Sequence, residues 1–299
     1  MTAVAPPPGA QGPGALRGAL VEALDLLLAR RASGVLPGDR LALGLGDGTE
    51  LAQIRPYQVG DDVRRLDAAA SARTGQPHVR DHVPERALTT WVLLDVSASM
   101  AFGTGARLKS DVAAGVTEVV GRLATRRAGR IALVTTGAAV TILLPPRSGR
   151  RALVAVRRAV AAGVAPDGVP ADTLADGLRR LTRLARGPGL VVVVSDFRAE
   201  DWTRPLRALA ARHDVLAVEL TDPREAELPD AGQLVLADPE TGARLEVDTS
   251  AAQLRREFAA AELARRDALK AALRRARARH VALSAADDEW LRTLGRELR

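Results

Sequence analysis

The chain has 299 residues, of which 43 are Lys or Arg and 36 are Asp or Glu, so its formal net charge is +7. It contains no cysteine, which excludes disulfides, Cys-ligated zinc or iron–sulfur centres, and thiol nucleophiles. No apolar run approaches the roughly 20 residues of a membrane-spanning helix, and residues 1–14 lack the basic and apolar regions of a secretory signal. We therefore expect a soluble, cytoplasmic protein with one large domain or two modest ones.

The N-terminal part of the chain is predicted to be a disordered tail followed by a small accessory module. The tail, residues 1–14, is rich in Pro and Gly and has too little apolar content to fold. The module spans 15–87 and is predicted to be β-rich. Within it, residues 15–31 carry leucines at helical spacing, and residues 41–54 alternate as a hairpin does.

A stretch rich in Arg and Asp closes the module and turns at Gly60-Asp61. The structural motif comprises Arg55, Tyr57, Gly60, Asp61, Asp62, Arg64, Asp67 and Arg73. We expect Arg55, Arg64 and Arg73 each to form a fork-to-carboxylate ion pair with one of the three aspartates. Such pairs would brace a loop-rich module, and an interaction surface is the alternative.

From residue 88 onward, apolar strands alternate with amphipathic helices. Trp91–Leu94 and Leu190–Val194 are continuous apolar runs, as in strands buried on both faces. Helices are predicted near 109–127, 149–162, 172–186 and 202–212, and further strands at 131–135, 140–144 and 215–220. This alternation predicts a doubly wound, mostly parallel α/β sheet over residues 88–222.

The C-terminal region, residues 223–299, has a looser pattern. Leu234–Asp238 is interpreted as a last strand, followed by a turn and a returning strand at Leu245–Val247. A long basic helix and a short helix near Trp290 come next. We expect this region to pack on the accessory module.

The positive charge is concentrated in residues 263–280. This segment holds seven basic residues and one acid, a net of +6, so the rest of the chain nets +1. A packed helix with a solvated basic face is the simpler interpretation. A surface for phosphates or for an acidic partner, including Arg274 and Arg275, is the alternative. No aromatic side chain is interleaved with these arginines, as stacking on single-stranded nucleic acid would require.

Oxygen-bearing side chains follow both apolar strands. Asp95, Ser97 and Ser99 come directly after the first strand. Asp196 comes directly after the second, and Thr173 precedes a predicted helix. Because ligands bind at the carboxyl ends of strands in open parallel sheets, we expect these side chains on one rim. Carboxylate and hydroxyl oxygens favour Mg²⁺, Mn²⁺ or Ca²⁺, and the bound ion can accept a further carboxylate from a partner protein.

The same residues resemble the metal-ion-dependent adhesion site of von Willebrand factor type A domains. The matching positions are Asp95-x-Ser97-x-Ser99, then Thr173, then Asp196 after the fourth strand. The resemblance implies that the three hydroxyl groups bind the ion. It also implies that the two aspartates bind it directly or through water.

The flanking motifs resemble the domain-of-unknown-function-58 (DUF58) family, whose members carry a type A domain and are commonly encoded beside MoxR-type AAA+ ATPases. These motifs are the Arg/Asp motif from Arg55 to Asp67 with Ala72-Arg73, then Glu85-Arg86, Ser195-Asp196-Phe197 and Asp222-Pro223-x-Glu225. The resemblance implies a non-catalytic, metal-dependent adaptor whose partner is such an ATPase or its client. One departure is Ala68, where many relatives have Trp, and the transmembrane helices of many relatives have no counterpart in this sequence.

Two other functions remain as alternatives. Asp95 is a candidate nucleophile of a Mg²⁺-dependent phosphoryl-transfer hydrolase, but Ser97 stands where such enzymes need a second acid. Nucleic-acid binding through residues 263–280 is the other. The loop after Ser99 is not a P-loop, because Leu108 precedes the lysine. We predict a mobile loop there, with Phe102 and Gly103 as candidates for partner binding.

Overall fold

The computed structural model describes residues 12–14, 50–83, 88–126, 129–169, 171–286 and 289–297. The chain divides into a small unit, Ser33–Ala87, and a sheet unit made of Met1–Ala32 and Leu88–Arg299. The predicted tail up to residue 11, the helix predicted at 15–31 and the turn of the hairpin predicted at 41–54 lie outside the described residues.

The small unit contains a two-stranded antiparallel sheet. Strand β1 (Glu50–Pro56) pairs with β2 (His78–Val83), and helix α1 (Ala68–Thr74) lies between them in the sequence. Asp67 caps α1, since its Oδ1 accepts a hydrogen bond of 2.7 Å from the Ala70 N–H. The Arg/Asp motif therefore occupies the long connection between two paired strands.

Ion pairs hold this motif, although not all in the predicted combinations. The Arg55 guanidinium donates two hydrogen bonds to the Asp61 carboxylate, at 2.7 and 2.8 Å. The Arg55 guanidinium and the Gln58 N–H lower the pKa of Asp61 to about 2. Gly60 adopts a φ of +110°, which the predicted turn requires of a glycine.

The ion pair formed by Asp67 differs from the predicted one. Its Oδ2 accepts a 2.6 Å hydrogen bond from Arg80 of β2, and not from Arg73, because the antiparallel partner strand runs directly past the cap of α1. Arg64 lies 3.7 Å from Asp62, and the Arg64 side chain is largely exposed. Tyr57 contributes a backbone bond, its N–H donating to the Pro77 carbonyl at 2.8 Å.

The described part of the sheet unit contains eight strands: β3 (Thr89–Asp95), β4 (Arg130–Thr136), β5 (Leu143–Arg147), β6 (Leu190–Ser195), β7 (Asp214–Thr221), β8 (Gln233–Ala237), β9 (Arg244–Asp248) and β10 (Arg279–Ser284). Six of them form one sheet in the order β10-β7-β6-β3-β4-β5. Every neighbouring pair is parallel except β4 and β5. The predicted doubly wound, mostly parallel α/β fold is confirmed.

Helices cover both faces of this sheet. They are α2 (Lys109–Arg126), α3 (Gly149–Val160), α4 (Leu174–Leu184), α5 (Thr203–Ala210), α6 (Ala252–Arg275) and α7 (Trp290–Glu297). Helices α2, α3 and α7 enclose one apolar core, and α4, α5 and α6 enclose the other. Along β3, Val92 and Leu94 enter the first core while Trp91 and Leu93 enter the second. Burial on both faces explains why β3 and β6 are apolar throughout.

The C-terminal region belongs to the sheet unit. Strand β10 pairs with β7 at the edge of the sheet, and α7 buries Trp290 and Leu294 in the core. The basic helix begins at Ala252 and ends at Arg275, so it stops before the end of the predicted basic segment 263–280. It ends at Arg275 because Arg277 takes a left-handed φ of +57°, after which Val281 and Leu283 alternate as strand residues.

Strands β8 and β9 form a separate antiparallel hairpin. The strand predicted at Leu234–Asp238 is therefore not the last strand of the main sheet, although the turn after it is where the sequence indicates. The strand predicted at 140–144 begins at Leu143 and contains Pro145 and Pro146, which an edge strand tolerates. Among the described residues, no helix is long and apolar enough to cross a membrane.

Candidate metal centre

The carboxyl ends of β3 and β6 lie side by side, with Leu94 in register with Val194. Asp95 and Asp196 are therefore neighbours at the edge of the sheet. The five predicted metal-site residues line one cavity of about 790 Å³: Asp95, Ser97, Ser99, Thr173 and Asp196. The structure thus brings together side chains that are up to 101 positions apart in the sequence.

Asp95 is a buried carboxylate, 6% exposed, held by two short-range contacts. Its Oδ1 accepts a hydrogen bond from the Ser97 N–H at 2.9 Å, and its Oδ2 accepts one from the Ser195 hydroxyl at 2.6 Å. Burial and the nearby Asp196 charge raise the pKa of Asp95 to about 6. Among the described residues it has no cationic partner, so its environment fits a bound cation.

The serine hydroxyls complete a ring of oxygen atoms. Ser97 Oγ lies 3.1 Å from Ser99 Oγ, and the Ser99 side chain also hydrogen bonds to Asp196. Gly137 lines the cavity next to Asp95 and Ser97, and its φ is +87°. A Cβ there would lie 2.8 Å from Asp95 Oδ1 and 2.6 Å from the Ser97 nitrogen, so only glycine fits. Among the described residues, no group of three or more His, Asp or Glu forms a metal site, so any site depends on these hydroxyls.

Thr173 is the N-cap of α4 and forms a capping box with Asp176. Its hydroxyl donates to Asp176 Oδ2 at 2.9 Å and accepts from the Asp176 N–H at 3.3 Å. Thr173 is exposed at the mouth of the cavity. The neighbouring Asp172, in contrast, is held by the Arg180 guanidinium at 2.8 Å and by the Gly137 N–H.

Lys109 is the functional residue that the sequence analysis missed. Its side chain is fully buried, and its ammonium group lies 2.8 Å from Asp196 Oδ2 and 2.6 Å from Glu225 Oε1. Burial raises the pKa of Asp196, but the Lys109 charge outweighs it and the pKa is lowered. Only Lys109 and Lys270 are lysines among 43 basic residues, so a lysine in this Arg-rich chain was a usable signal.

Further ion pairs connect this lysine cluster to α6. Arg198 contacts Glu225 at 3.3 Å and the buried Glu262 of α6 at 3.1 Å. Glu262 also accepts hydrogen bonds from Arg265, both at 2.9 Å. Arg266 also lies 3.4 Å from Glu262. Arg265 and Arg266, two arginines of the predicted basic segment, are therefore paired with an acid of their own helix.

The loop between Ser99 and α2 is anchored at its centre, where a mobile loop was predicted. Thr104 donates to Asp222 through its N–H at 2.8 Å and its hydroxyl at 2.6 Å. Gly103 is buried, and a Cβ there would lie 2.3 Å from the Arg107 carbonyl oxygen, so its part is to let the loop fold back. Phe102 lines the cavity with 39% of its surface exposed, and Lys109 lies 5.9 Å from its ring centre.

Arg274 and Arg275 lie at the exposed C-terminal end of α6, away from the residues that line the cavity. The predicted partner-binding residues thus fall into two separate places.

Comparisons with known proteins agree with the motifs. Residues 53–268 match the family model described as "Protein of unknown function DUF58". The chain belongs to the DUF58 family. Its relatives include the uncharacterized proteins Rv1480 of Mycobacterium tuberculosis and Mb1516 of Mycobacterium bovis. Each is 42% identical over 276 residues, which cover 91% of this chain and 86% of the relative.

Two solved structures show partial likeness to this DUF58 protein. The hypothetical protein BatB from Bacteroides thetaiotaomicron is 13% identical, with a TM-score of 0.45 over 71% of this chain and 97% of BatB. The VWA domain of SpRpn10 is 13% identical, with a TM-score of 0.33 over 44% of this chain and 75% of that domain.

Proposed function

We propose that this protein is a non-catalytic adaptor that binds a partner protein through a divalent cation, most suitably Mg²⁺, with Mn²⁺ or Ca²⁺ as substitutes. The observation that carries the proposal is the contrast between the two aspartates of the site. Asp196 is neutralised by Lys109, whereas Asp95 is buried beside two hydroxyl groups with no cation among the described residues. A cation at the hydroxyls would neutralise Asp95.

The donor set suits a hard cation. In this assignment Ser97, Ser99 and Thr173 supply hydroxyl oxygens, and Asp95 and Asp196 supply carboxylates directly or through water. A doubly charged ion beside the uncompensated Asp95 keeps one positive charge, because Lys109 already balances Asp196. A carboxylate of the partner protein would neutralise that charge.

The partner that we propose is a MoxR-type AAA+ ATPase or a protein that this ATPase remodels. This part rests on the resemblance of the sequence motifs to DUF58 proteins. It would place the protein in the cytoplasm, where such ATPases consume ATP.

The test combines calorimetry of Mg²⁺ and Mn²⁺ binding with a pull-down in Mg²⁺ or in EDTA. We expect one ion to bind the wild type, with loss of binding in Asp95→Asn and in Ser97→Ala. Asp267→Asn is the matched control, since the Asp267 side chain is exposed on α6. Partners that are captured equally in EDTA, or by Asp95→Asn, would contradict the metal bridge.

The enzyme alternative has its own readout in the same samples. Both oxygens of Asp95 already accept hydrogen bonds, from Ser97 and Ser195, which disfavours nucleophilic attack. We expect no Mg²⁺-dependent hydrolysis of a phosphomonoester above the level of the Asp95→Asn variant. Hydrolysis that disappears in this variant would replace the adaptor proposal with a phosphoryl-transfer function.

A further inference from the structure

The tip of the β8–β9 hairpin reaches the candidate metal centre. Oε1 of Glu240 accepts a hydrogen bond of 2.9 Å from the Ser99 N–H, and the Pro239 carbonyl accepts one of 2.8 Å from Gly168. Glu240 lines the same cavity as Asp95 and Ser97. A carboxylate of the chain itself therefore lies beside the Ser97 and Ser99 hydroxyls in the candidate metal centre.

The hairpin tip is built to present this carboxylate. Asp238 accepts hydrogen bonds from the Glu240 N–H at 3.0 Å and from the Thr241 hydroxyl at 2.5 Å. The Gly242 N–H closes the turn on the Asp238 carbonyl at 2.8 Å. Within the described part of the chain, Glu240 has no cationic partner, and its side chain is exposed. Among those residues, the Glu240 carboxylate accepts its hydrogen bond from the backbone N–H of Ser99.

We propose that the Ser99 N–H and the adjoining hydroxyls form a carboxylate subsite, and that Glu240 occupies it until a partner's Asp or Glu displaces it. This inference rests on the proposed function, because it assigns the residue that competes with the partner's carboxylate. An intramolecular carboxylate has an effective concentration on the order of millimolar, so a partner must outcompete it. The partner's acid is then expected on an exposed turn similar to this hairpin tip.

The experiment uses the full chain and a fluorescent peptide that reproduces residues 233–248. We expect the peptide to bind Glu240→Ala in Mg²⁺ about tenfold more tightly than it binds the wild type, since the internal competitor is gone. Binding should be lost in EDTA and in the double variant Asp95→Asn/Glu240→Ala. Glu246→Ala is the matched control, because Glu246 is an exposed acid of the same hairpin outside the cavity.

A second measurement does not depend on the peptide. Hydrogen exchange of the segment containing residues 97–103 should be faster in Glu240→Ala than in the wild type, because the Ser99 N–H loses its acceptor. Unchanged exchange together with equal peptide affinity, in protein that still binds Mg²⁺ by calorimetry, would overturn the inference and leave the proposed function standing. Absence of Mg²⁺ binding by the wild type would overturn both.

A different observation concerns a second basic segment. Residues 119–166 contain nine arginines, no acid and no aromatic residue. The net charge of +1 outside residues 263–280 therefore hides a second strongly basic segment, which acids elsewhere in the chain offset. In the structure, α3 presents Arg150, Arg151 and Arg158 around a shallow depression of about 510 Å³ that includes Val154, which is 41% exposed. None of these three arginines has an acidic partner among the described residues.

We infer that this face of α3 binds an acidic segment of a protein. Exposed Val154 supplies an apolar contact at the centre of the arginines, and the arginines supply charge complementarity. The absence of an aromatic side chain removes the stacking on which single-stranded nucleic-acid binding depends. Arg157 is held apart from this set, because it and Arg122 share Glu118 of α2, at 2.7 and 2.5 Å.

Anisotropy titrations with a glutamate-rich peptide and with a short DNA duplex test this assignment. We expect peptide binding that weakens at least about tenfold in Arg150→Glu/Arg151→Glu/Arg158→Glu. The control Arg183→Glu/Arg204→Glu/Arg207→Glu carries the same charge change on exposed arginines of α4 and α5 and should bind as the wild type does. Absent peptide binding, equal loss in both variants, or tighter binding of the duplex would overturn the inference.

Discussion

The ammonium group of Lys109 lies 2.8 Å from Asp196 Oδ2, inside the sheet unit and out of contact with solvent. It is shared with Glu225, which the turn after β7 carries to within 2.6 Å. One lysine thus joins the start of α2, the end of β6 and the turn after β7. It also divides the two aspartates of the candidate centre into one that is neutralised and one that is not.

Replacing Lys109 with Met is expected to destabilise the sheet unit by about 3–5 kcal/mol, because the buried Asp196 loses its cation and, among the described residues, Glu225 keeps only Arg198. Denaturant unfolding followed by tryptophan fluorescence measures this change. All three tryptophans, Trp91, Trp202 and Trp290, are buried in the sheet unit. Lys270→Met is the control, since Lys270 is half-exposed and lies 3.9 Å from Asp267.

The ion pair between Lys109 and Glu225 provides a second test of the same stability effect. Adding Glu225→Gln to Lys109→Met should restore part of the lost stability, because one of the two negative charges that Lys109 neutralises is removed. Strictly additive losses in the double variant would show that the lysine contributes through packing alone.

Asp95→Asn is expected to stabilise the metal-free protein at neutral pH. The pKa of Asp95 is raised to about 6, so the native state holds the ionised carboxylate at a cost that is fully present above that pH and vanishes in acid. At about 1.4 kcal/mol per pKa unit, the rise from 3.8 to about 6 corresponds to a gain on the order of 3 kcal/mol. Thermal unfolding in EDTA measures it.

The same variant should lose the stabilisation that added Mg²⁺ gives the wild type. The combination of higher stability in EDTA and no response to Mg²⁺ is what a ligand-binding carboxylate produces. A variant that is less stable than the wild type in both conditions would assign Asp95 a structural role.

The grouping of these oxygen-bearing side chains around one cavity could be predicted from the sequence because its signals are local. Buried parallel strands read as apolar runs, and Asp95 and Asp196 follow two of them directly. The pairing of Lys109 with Glu225 has no such local signal, since 116 positions separate the two residues and neither directly follows an apolar strand. Strand β10 was not predicted for a related reason. Its alternating pattern begins only a few residues after the basic helix ends, so Arg277 and Arg279 were assigned to that helix.

Asp222 is expected to control the order of the loop that carries Phe102. It is fully buried and accepts hydrogen bonds from the Thr104 N–H, the Thr104 hydroxyl and the Arg224 N–H. Asp222→Ala removes these acceptors and should increase hydrogen exchange in residues 102–108, with a loss of stability of about 1–3 kcal/mol. Thr104→Val, which removes the hydroxyl alone, should show a smaller effect in the same segment. Equal exchange in all three proteins would mean that packing holds the loop.

His213 is expected to make the stability of the sheet unit fall in mild acid. Its ring is buried, and Nε2 lies 3.1 Å from the Ala185 carbonyl oxygen. Burial lowers the pKa of His213 below its ordinary value of 6.5. Below that pH the unfolded chain takes up a proton that the native ring resists, so the free energy of unfolding decreases until the lowered native pKa is reached. His213→Gln should flatten this dependence below about pH 6.5, measured by denaturant unfolding. An unaltered slope in His213→Gln would assign the acid sensitivity to other groups.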